Sequence, residues 1–216
     1  MAKTLIVFAS KQEFHFFFKN ISSVVASSTP AMVNPSVDVA IAGVGIVDFS
    51  ANLARFLSLK KYDRAFLLGI CGAYPNSGLQ VGSVVRIDTE VVADMGAQSR
   101  EGHFIPWGTL VSKETRYSGA SIRDLPLCLL DAPGVAGGTV NCCTGTQYLG
   151  NRRETLFQIQ VESMEGAAFF AVCKNFGVPG YQFRAVSNMA SDRDESSWDI
   201  PRALSALKQS VLDQLF

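Results

Sequence analysis

The sequence predicts a single α/β domain built on a central, mostly parallel sheet. Apolar runs of strand length recur along the chain, and segments of helical period stand between them. Apolar residues make up 48% of the 216, enough for a large core. The length suits one domain spanning residues 1–216, and no repeat, linker or low-complexity segment divides it.

Thr4–Ala9 (TLIVFA) reads as a fully buried strand. Ser10 follows, with Glu13 three residues on, which is a capping-box pattern. Val37–Gly43 is a second strand, followed by Gly45 and a helix to about Leu59. Its Gly-x-Gly is no dinucleotide fingerprint, because Asp48 stands where the third glycine belongs. Arg64–Ile70 is a third strand, running into a glycine-rich bend, CGAYP. Val81–Ala93 alternates as two β segments. A loop with Phe104, Pro106 and Trp107 comes next, then a variable excursion over 110–137 with a short helix. Thr139–Thr144 begins another strand, and 151–158 is a short polar helix.

The stretch from Gln160 to Trp198 organises the rest. A β-like run, Ile159–Ser163, turns at once into a helix with Met164, Ala167, Ala168, Ala171 and Val172 on one face. Gly177 and Pro179 end it. A strand over Gly180–Ser187 ends at Asn188. Glu165 thus opens a helix where the next strand's polar end lies, the place where open α/β sheets bind ligands. An amphipathic helix with Pro201 at its start closes the chain from Ile200 to Phe216.

Formal net charge is +0, so nothing draws nucleic acid or acidic membranes over distance. Five cysteines without a C-x-x-C pair fit reduced thiols better than disulfides. Two histidines make a His-based metal site a poor expectation, and nothing calls for a cofactor. The apolar run at residues 5–9 is too short for a signal core or a membrane span. The expectation is a soluble, cytoplasmic protein.

VESMEGAAF followed by FRAVSN resembles the signature of the nucleoside phosphorylase and nucleosidase superfamily. The resemblance covers nearly the whole chain. It implies a three-layer, phosphorylase-like fold with a mixed, mostly parallel sheet, a purine nucleoside as small-molecule partner, and a homodimer or dimer-based oligomer. In related dimers, a loop at 92–108 leans over the neighbouring subunit's pocket. It further implies that Glu13 activates the attacking water and that Glu165 accepts from the ribose hydroxyls beside Met164. The base would lie against Ile70, Cys71 and Gly72, flanked by Tyr148 and Leu149. Val44 and Ser163 would line the pocket, and Trp198 would cover the 5′ substituent.

Each of these residues also has a plain structural reading. Glu13 can be a cap, Glu165 a complement to the helix dipole, Met164 and Tyr148 core, and Asn188 a chain turn.

Two departures from the family pattern narrow the reaction. Related phosphorylases bind phosphate through an arginine and a Ser or Thr where this chain has Leu67 and Ile70. A phosphate dianion needs charge-assisted donors, so water is the expected nucleophile. Adenine-releasing relatives carry an Asp where this chain has Asn188. An amide donates to O6 or N7 of a 6-oxopurine but supplies no proton. The expected reaction is hydrolysis of a 6-oxopurine nucleoside, with futalosine the first choice and hypoxanthine the leaving base. Alternatives are a methylthioadenosine or adenosylhomocysteine nucleosidase, a phosphorylase, and a non-catalytic nucleoside binder. Asp192 or Asp194 could replace Asn188 at the base, and Arg193 is a candidate for a carboxylate on the 5′ substituent.

Overall fold

A computed structural model describes residues 2–19, 21, 29–111 and 115–216. The chain opens with β1 (Thr4–Phe8), α1 (Lys11–Phe17), β2 (Ala31–Asn34), β3 (Val37–Ile41), α2 (Ile46–Leu59) and β4 (Arg64–Ala73). Next come β5 (Val84–Val92), β6 (Gly96–Gln98), β7 (Phe104–Pro106), α3 (Trp107–Val111), β8 (Arg116–Ser118) and β9 (Gly134–Thr139). The last third holds α4 (Gln147–Phe157), β10 (Val161–Ser163), α5 (Gly166–Phe176), β11 (Gly180–Met189) and α6 (Ile200–Ser210).

The strands form one mixed, mostly parallel sheet in the order β10-β9-β5-β11-β4-β1-β3-β2, with β8 beside β5. β1, β3, β4 and β11 run parallel. β10 also pairs antiparallel with the end of β4, so half of the sheet curls back on itself. β1 and β3 are buried at every position, which is why their sequences are unbroken apolar runs. α2 and α5 cover one face, with Phe49, Leu53, Phe56, Phe169 and Phe170 in its core. α1 and α6 belong to the other, with Phe14, Ala203 and Leu207 against Phe8, Phe66 and Phe183. Each of the Phe and Leu side chains among them stabilises the fold by about 1.5–3 kcal/mol relative to exposure.

Several expected boundaries move. β4 does not bend at Ile70–Gly72 but continues to Ala73, because those residues pair with β11 and β10. Val81–Ala93 holds one strand, β5, with a register shift between Ile87 and Thr89 instead of a turn. The strand expected from Thr139 to Thr144 lies upstream, as β9. Its glycines hide it in sequence but are required in space. A Cβ on Gly137 would lie 2.6 Å from Glu90 Oε1, and one on Gly138 2.5 Å from Ile159 Cδ1. The polar helix begins earlier, at Gln147, with Thr146 as its cap. β11 runs past Asn188 through a bulge at Ser187. The last helix stops at Ser210, before a single 3₁₀ turn. The loop after β5 contains the small β6–β7 hairpin. Of the excursion over 110–137, residues 112–114 lie outside the described residues. β2 was not foreseen, since AMVN carries no alternating pattern. No helix among the described residues is long and apolar enough to cross a membrane.

Candidate active site

Ser10 caps α1 as its spacing demands, and Glu13 completes the capping box. Glu13 Oε2 accepts from the Ser10 N–H at 3.0 Å and from the Ser10 hydroxyl at 2.8 Å. Its other oxygen leaves the turn. Glu13 Oε1 accepts from the Ile70 N–H on β4 at 3.0 Å. The cap and the cavity-facing role are therefore compatible in one side chain, which is 5% exposed.

Glu165 precedes α5, buried to 3% exposure, and its side chain makes no cap. Its Oε1 accepts from the Gly45 N–H at 3.1 Å, and its Oε2 from Arg184 Nη2 at 3.1 Å. Gly45 presents that N–H from a backbone with φ +84°, a conformation that favours glycine. Burial raises the Glu165 carboxyl above its ordinary value, the Arg184 guanidinium opposes the rise, and nearby Glu13 adds to it.

Arg184 is the residue that sequence reasoning missed. It lies on β11, 1% exposed, with Nη1 donating to the Ile70 carbonyl at 3.2 Å and Nε unpartnered. The signal was present, because an arginine inside the apolar run GYQFRAV needs a buried acid to face. Its cross-strand neighbour is Gly69. A Cβ there would lie 2.5 Å from Glu13 Oε1 and 2.6 Å from Arg184 Nη1. The missing side chain is what lets the acid and the base share one space.

These groups open into a cavity of about 220 Å³ at the ends of β4, β10 and β11. Of the residues expected from sequence, Glu13, Val44, Ile70, Cys71, Gly72, Ser163, Met164, Glu165, Asn188 and Trp198 line it. Tyr148 and Leu149 are not brought there. They sit in the first turn of α4, where Tyr148 is 74% exposed. Thr144, Cys143 and Glu162 take that flank instead. Glu162 is saturated by donors, with Tyr74 at 2.7 Å and Thr144 through both its N–H at 2.8 Å and its hydroxyl at 2.6 Å.

Gly72 lets β11 come close, since its absent Cβ would be 3.3 Å from Asn188 Nδ2. The Asn188 amide is oriented by Ser187, whose hydroxyl donates to Oδ1 at 2.7 Å, and by the Met189 carbonyl, which accepts from Nδ2 at 3.2 Å. Nδ2 keeps a second proton for a ligand. Neither acid considered as a substitute lines the cavity. Asp192 accepts from the Gln147 N–H at 2.8 Å, and Asp194 caps a 3₁₀ turn through Ser196. At the mouth, the Arg193 guanidinium stacks 4.9 Å from the Trp198 ring while pairing with Glu195 at 2.8 Å. Among the described residues no cluster of three His, Cys, Asp or Glu could hold a metal ion.

A mixed α/β sheet whose strand ends bring two buried carboxylates and a buried arginine to one cavity defines a ligand-binding domain. The chain belongs to the phosphorylase superfamily, which it matches over residues 5–214. It is 34% identical over 176 residues to a futalosine hydrolase of Thermus thermophilus, covering 78% of this chain and 76% of that one. A futalosine hydrolase of Streptomyces coelicolor is 32% identical over 190 residues, covering 81% and 76%. The fold matches the 5′-methylthioadenosine/S-adenosylhomocysteine nucleosidase of Neisseria meningitidis in complex with methylthio-immucillin-A. There the TM-score is 0.80 at 19% identity, over 100% of this chain and 99% of that one. A mutant of the futalosine hydrolase of Helicobacter pylori matches with TM-score 0.76 at 16% identity, over 99% and 100%.

Proposed function

We propose that this protein hydrolyses the N-glycosidic bond of a 6-oxopurine nucleoside, futalosine in the first place, with hypoxanthine as the released base. The observation that carries the reading is the shared space of Glu13, Glu165 and Arg184 at one end of the cavity. The similarity to two futalosine hydrolases supports the choice of substrate.

In this reading a water molecule stands against Glu13 and attacks the anomeric carbon. Its proton passes to Glu13, and the glycosidic electron pair leaves on the base, which takes a proton from solvent to depart as neutral hypoxanthine. Glu165 accepts from the ribose hydroxyls, and its negative field favours a sugar that gains positive charge as the bond breaks. Asn188 donates its remaining proton to O6 or N7 of the base. Ile70, Cys71 and Gly72 form the wall for the purine, Met164 and Val44 pack at the sugar, and Trp198 stands at the mouth for an aryl 5′ substituent.

Arg184 supplies a cation that sequence reasoning did not foresee near the place of the nucleophile. Glu165 already meets it at 3.1 Å. A phosphate dianion there would also face Glu13 and Glu165, so water remains the nucleophile in this reading.

The working form is a homodimer or a multiple of one, in the cytoplasm. Met95, Trp107, Leu110, Val111 and Tyr117 are all between 36% and 46% exposed on the surface around the 103–117 segment. An apolar group of that size favours cover by a second copy.

The test is incubation with futalosine, inosine and methylthioadenosine, each with and without phosphate, and identification of the base and sugar products. Free sugar and hypoxanthine from futalosine, at a rate indifferent to phosphate, are the expected outcome. A sugar 1-phosphate as main product overturns hydrolysis, and adenine release in preference to hypoxanthine overturns the base assignment.

A further inference from the structure

Glu90 does not line the cavity, yet it is a buried carboxyl group, 1% exposed, beneath the first turn of α5. Three contacts tie it to that turn. The Ala167 N–H, which has no carbonyl partner within the helix, donates to Thr139 Oγ1 at 2.7 Å. With its oxygen so engaged, the Thr139 hydroxyl sends its one proton to Glu90 Oε2 at 3.0 Å. Gly166, the first residue of α5, presents a bare Cα. A Cβ there would lie 1.9 Å from Glu90 Oε1. Across the strands, Gln182 Nε2 donates to the same Oε1 at 3.0 Å.

Glu165 immediately precedes this turn. Moving Gly166 and Ala167 away from the sheet would carry the Glu165 carboxylate away from Arg184 and Gly45. We infer that Glu90 is a positioning residue for Glu165: through Thr139 and Gly166 it sets how close the first turn of α5 lies to the sheet. The inference rests on the reading of Glu165 as the group that holds the substrate's sugar.

The site is built to serve with Glu90 charged or neutral. Burial pushes Glu90 up to about 7, while Arg184, Thr139 and Gln182 draw it down and Glu165 adds to the rise. Gln182 Oε1 has no partner when its amide faces Glu90. A neutral Glu90 can therefore donate to that oxygen once the amide turns over, and keep its bond from Thr139. Glutamine at position 90 would do the same through its NH2 group.

The experiment compares E90Q, E90A and T139V with the wild type, by kcat and KM on the cleaved nucleoside and by amide hydrogen exchange at Ala167. A displacement of about 1 Å at a reacting group costs on the order of 100-fold. T139V and E90A should therefore speed exchange at Ala167 and lower kcat/KM by about 10- to 100-fold. E90Q should restore both to within about threefold of the wild type, as an isostere that keeps the hydrogen bonds does. Wild-type kcat/KM in T139V and E90A overturns the inference. So does an E90Q as impaired as E90A while its Ala167 amide stays protected, since charge would then matter and position would not. If E90A does not fold, T139V decides. A wild type that cleaves no nucleoside overturns the functional reading instead. Glu90 is then judged on exchange, and unchanged protection at Ala167 in T139V refutes it.

Discussion

Replacing Gly69 by alanine adds one methyl group between the candidate base and the arginine. The new Cβ would stand 2.5 Å from Glu13 Oε1, 3.3 Å from Glu13 Cδ and 2.6 Å from Arg184 Nη1. Comfortable contacts are about 3.5–4 Å, so each group must retreat by about 1 Å. The fold has little reason to object, because alanine suits a strand better than glycine and no positive φ is involved. Overpacking of this kind costs about 1–3 kcal/mol. The functional groups have less freedom. Glu13 is pinned by Ser10 and by the Ile70 N–H, and Arg184 by Glu165 and the Ile70 carbonyl. Moving a reacting group by about 1 Å costs on the order of 100-fold in rate. G69A is therefore expected to melt within several degrees of the wild type and to lose about 100-fold in kcat/KM. Thermal unfolding and steady-state kinetics on the same preparation measure both. A G69A protein with kcat/KM within about threefold of wild type would refute the claim that this space is where Glu13 and Arg184 act.

Glu13→Gln keeps the shape but removes the proposed base, and general-base catalysis is worth about 100- to 10,000-fold, so the folded variant should lose that much in kcat. Near wild-type turnover would reduce Glu13 to a helix cap. Asn188→Asp places a carboxylate where the amide is proposed to donate to a 6-oxo group, so the preference for futalosine over its 6-amino counterpart should shrink even if the rate falls. An unchanged ratio of kcat/KM values means that Asn188 does not read the base. Glu90 is raised from an ordinary 4.5 to about 7, so the folded state holds its proton more tightly than the unfolded chain does. Its contribution to stability is full below about pH 4.5, declines as pH rises, and is lost above about pH 7. Glu90→Gln should flatten that decline in urea unfolding between pH 5 and pH 8, and an identical pH slope in both proteins counts against a buried, titrating Glu90.

Much of the candidate site was legible because its chemistry sits in short contiguous motifs. Ser10 and Glu13 are three residues apart, and a capping box is a local event, so their geometry followed from spacing alone. Glu165 and Met164 stand at a strand-to-helix junction whose period changes visibly from strand to helix. Asn188 follows a short, mostly apolar run after Gly177 and Pro179, which reads as a buried strand. Arg184 was passed over because its partner, Glu165, lies on another element, and only the packing of the β10–α5 junction against β11 shows that the charge is answered. Tyr148 and Leu149 failed for the opposite reason. The cap at Thr146 begins α4 early and sets their first turn outside the cavity, and nothing in their residue types says which way that turn faces.

The amino-acid sequence by itself determined the α/β class, the strands that are buried on both faces, the Ser10–Glu13 cap and the family. These depend on side-chain period and on contacts only a few residues long. Tertiary structure alone decided which glycines matter. Gly69, Gly137 and Gly166 are unremarkable in sequence, yet each leaves the volume into which a buried carboxylate from another element projects. It also decided that Glu90, 75 residues from Glu165 in the chain, lies beneath the same helical turn. Long-range pairing of β5, β9 and β11 makes that neighbourhood, and no local pattern encodes the distance between groups that meet only after the sheet has closed.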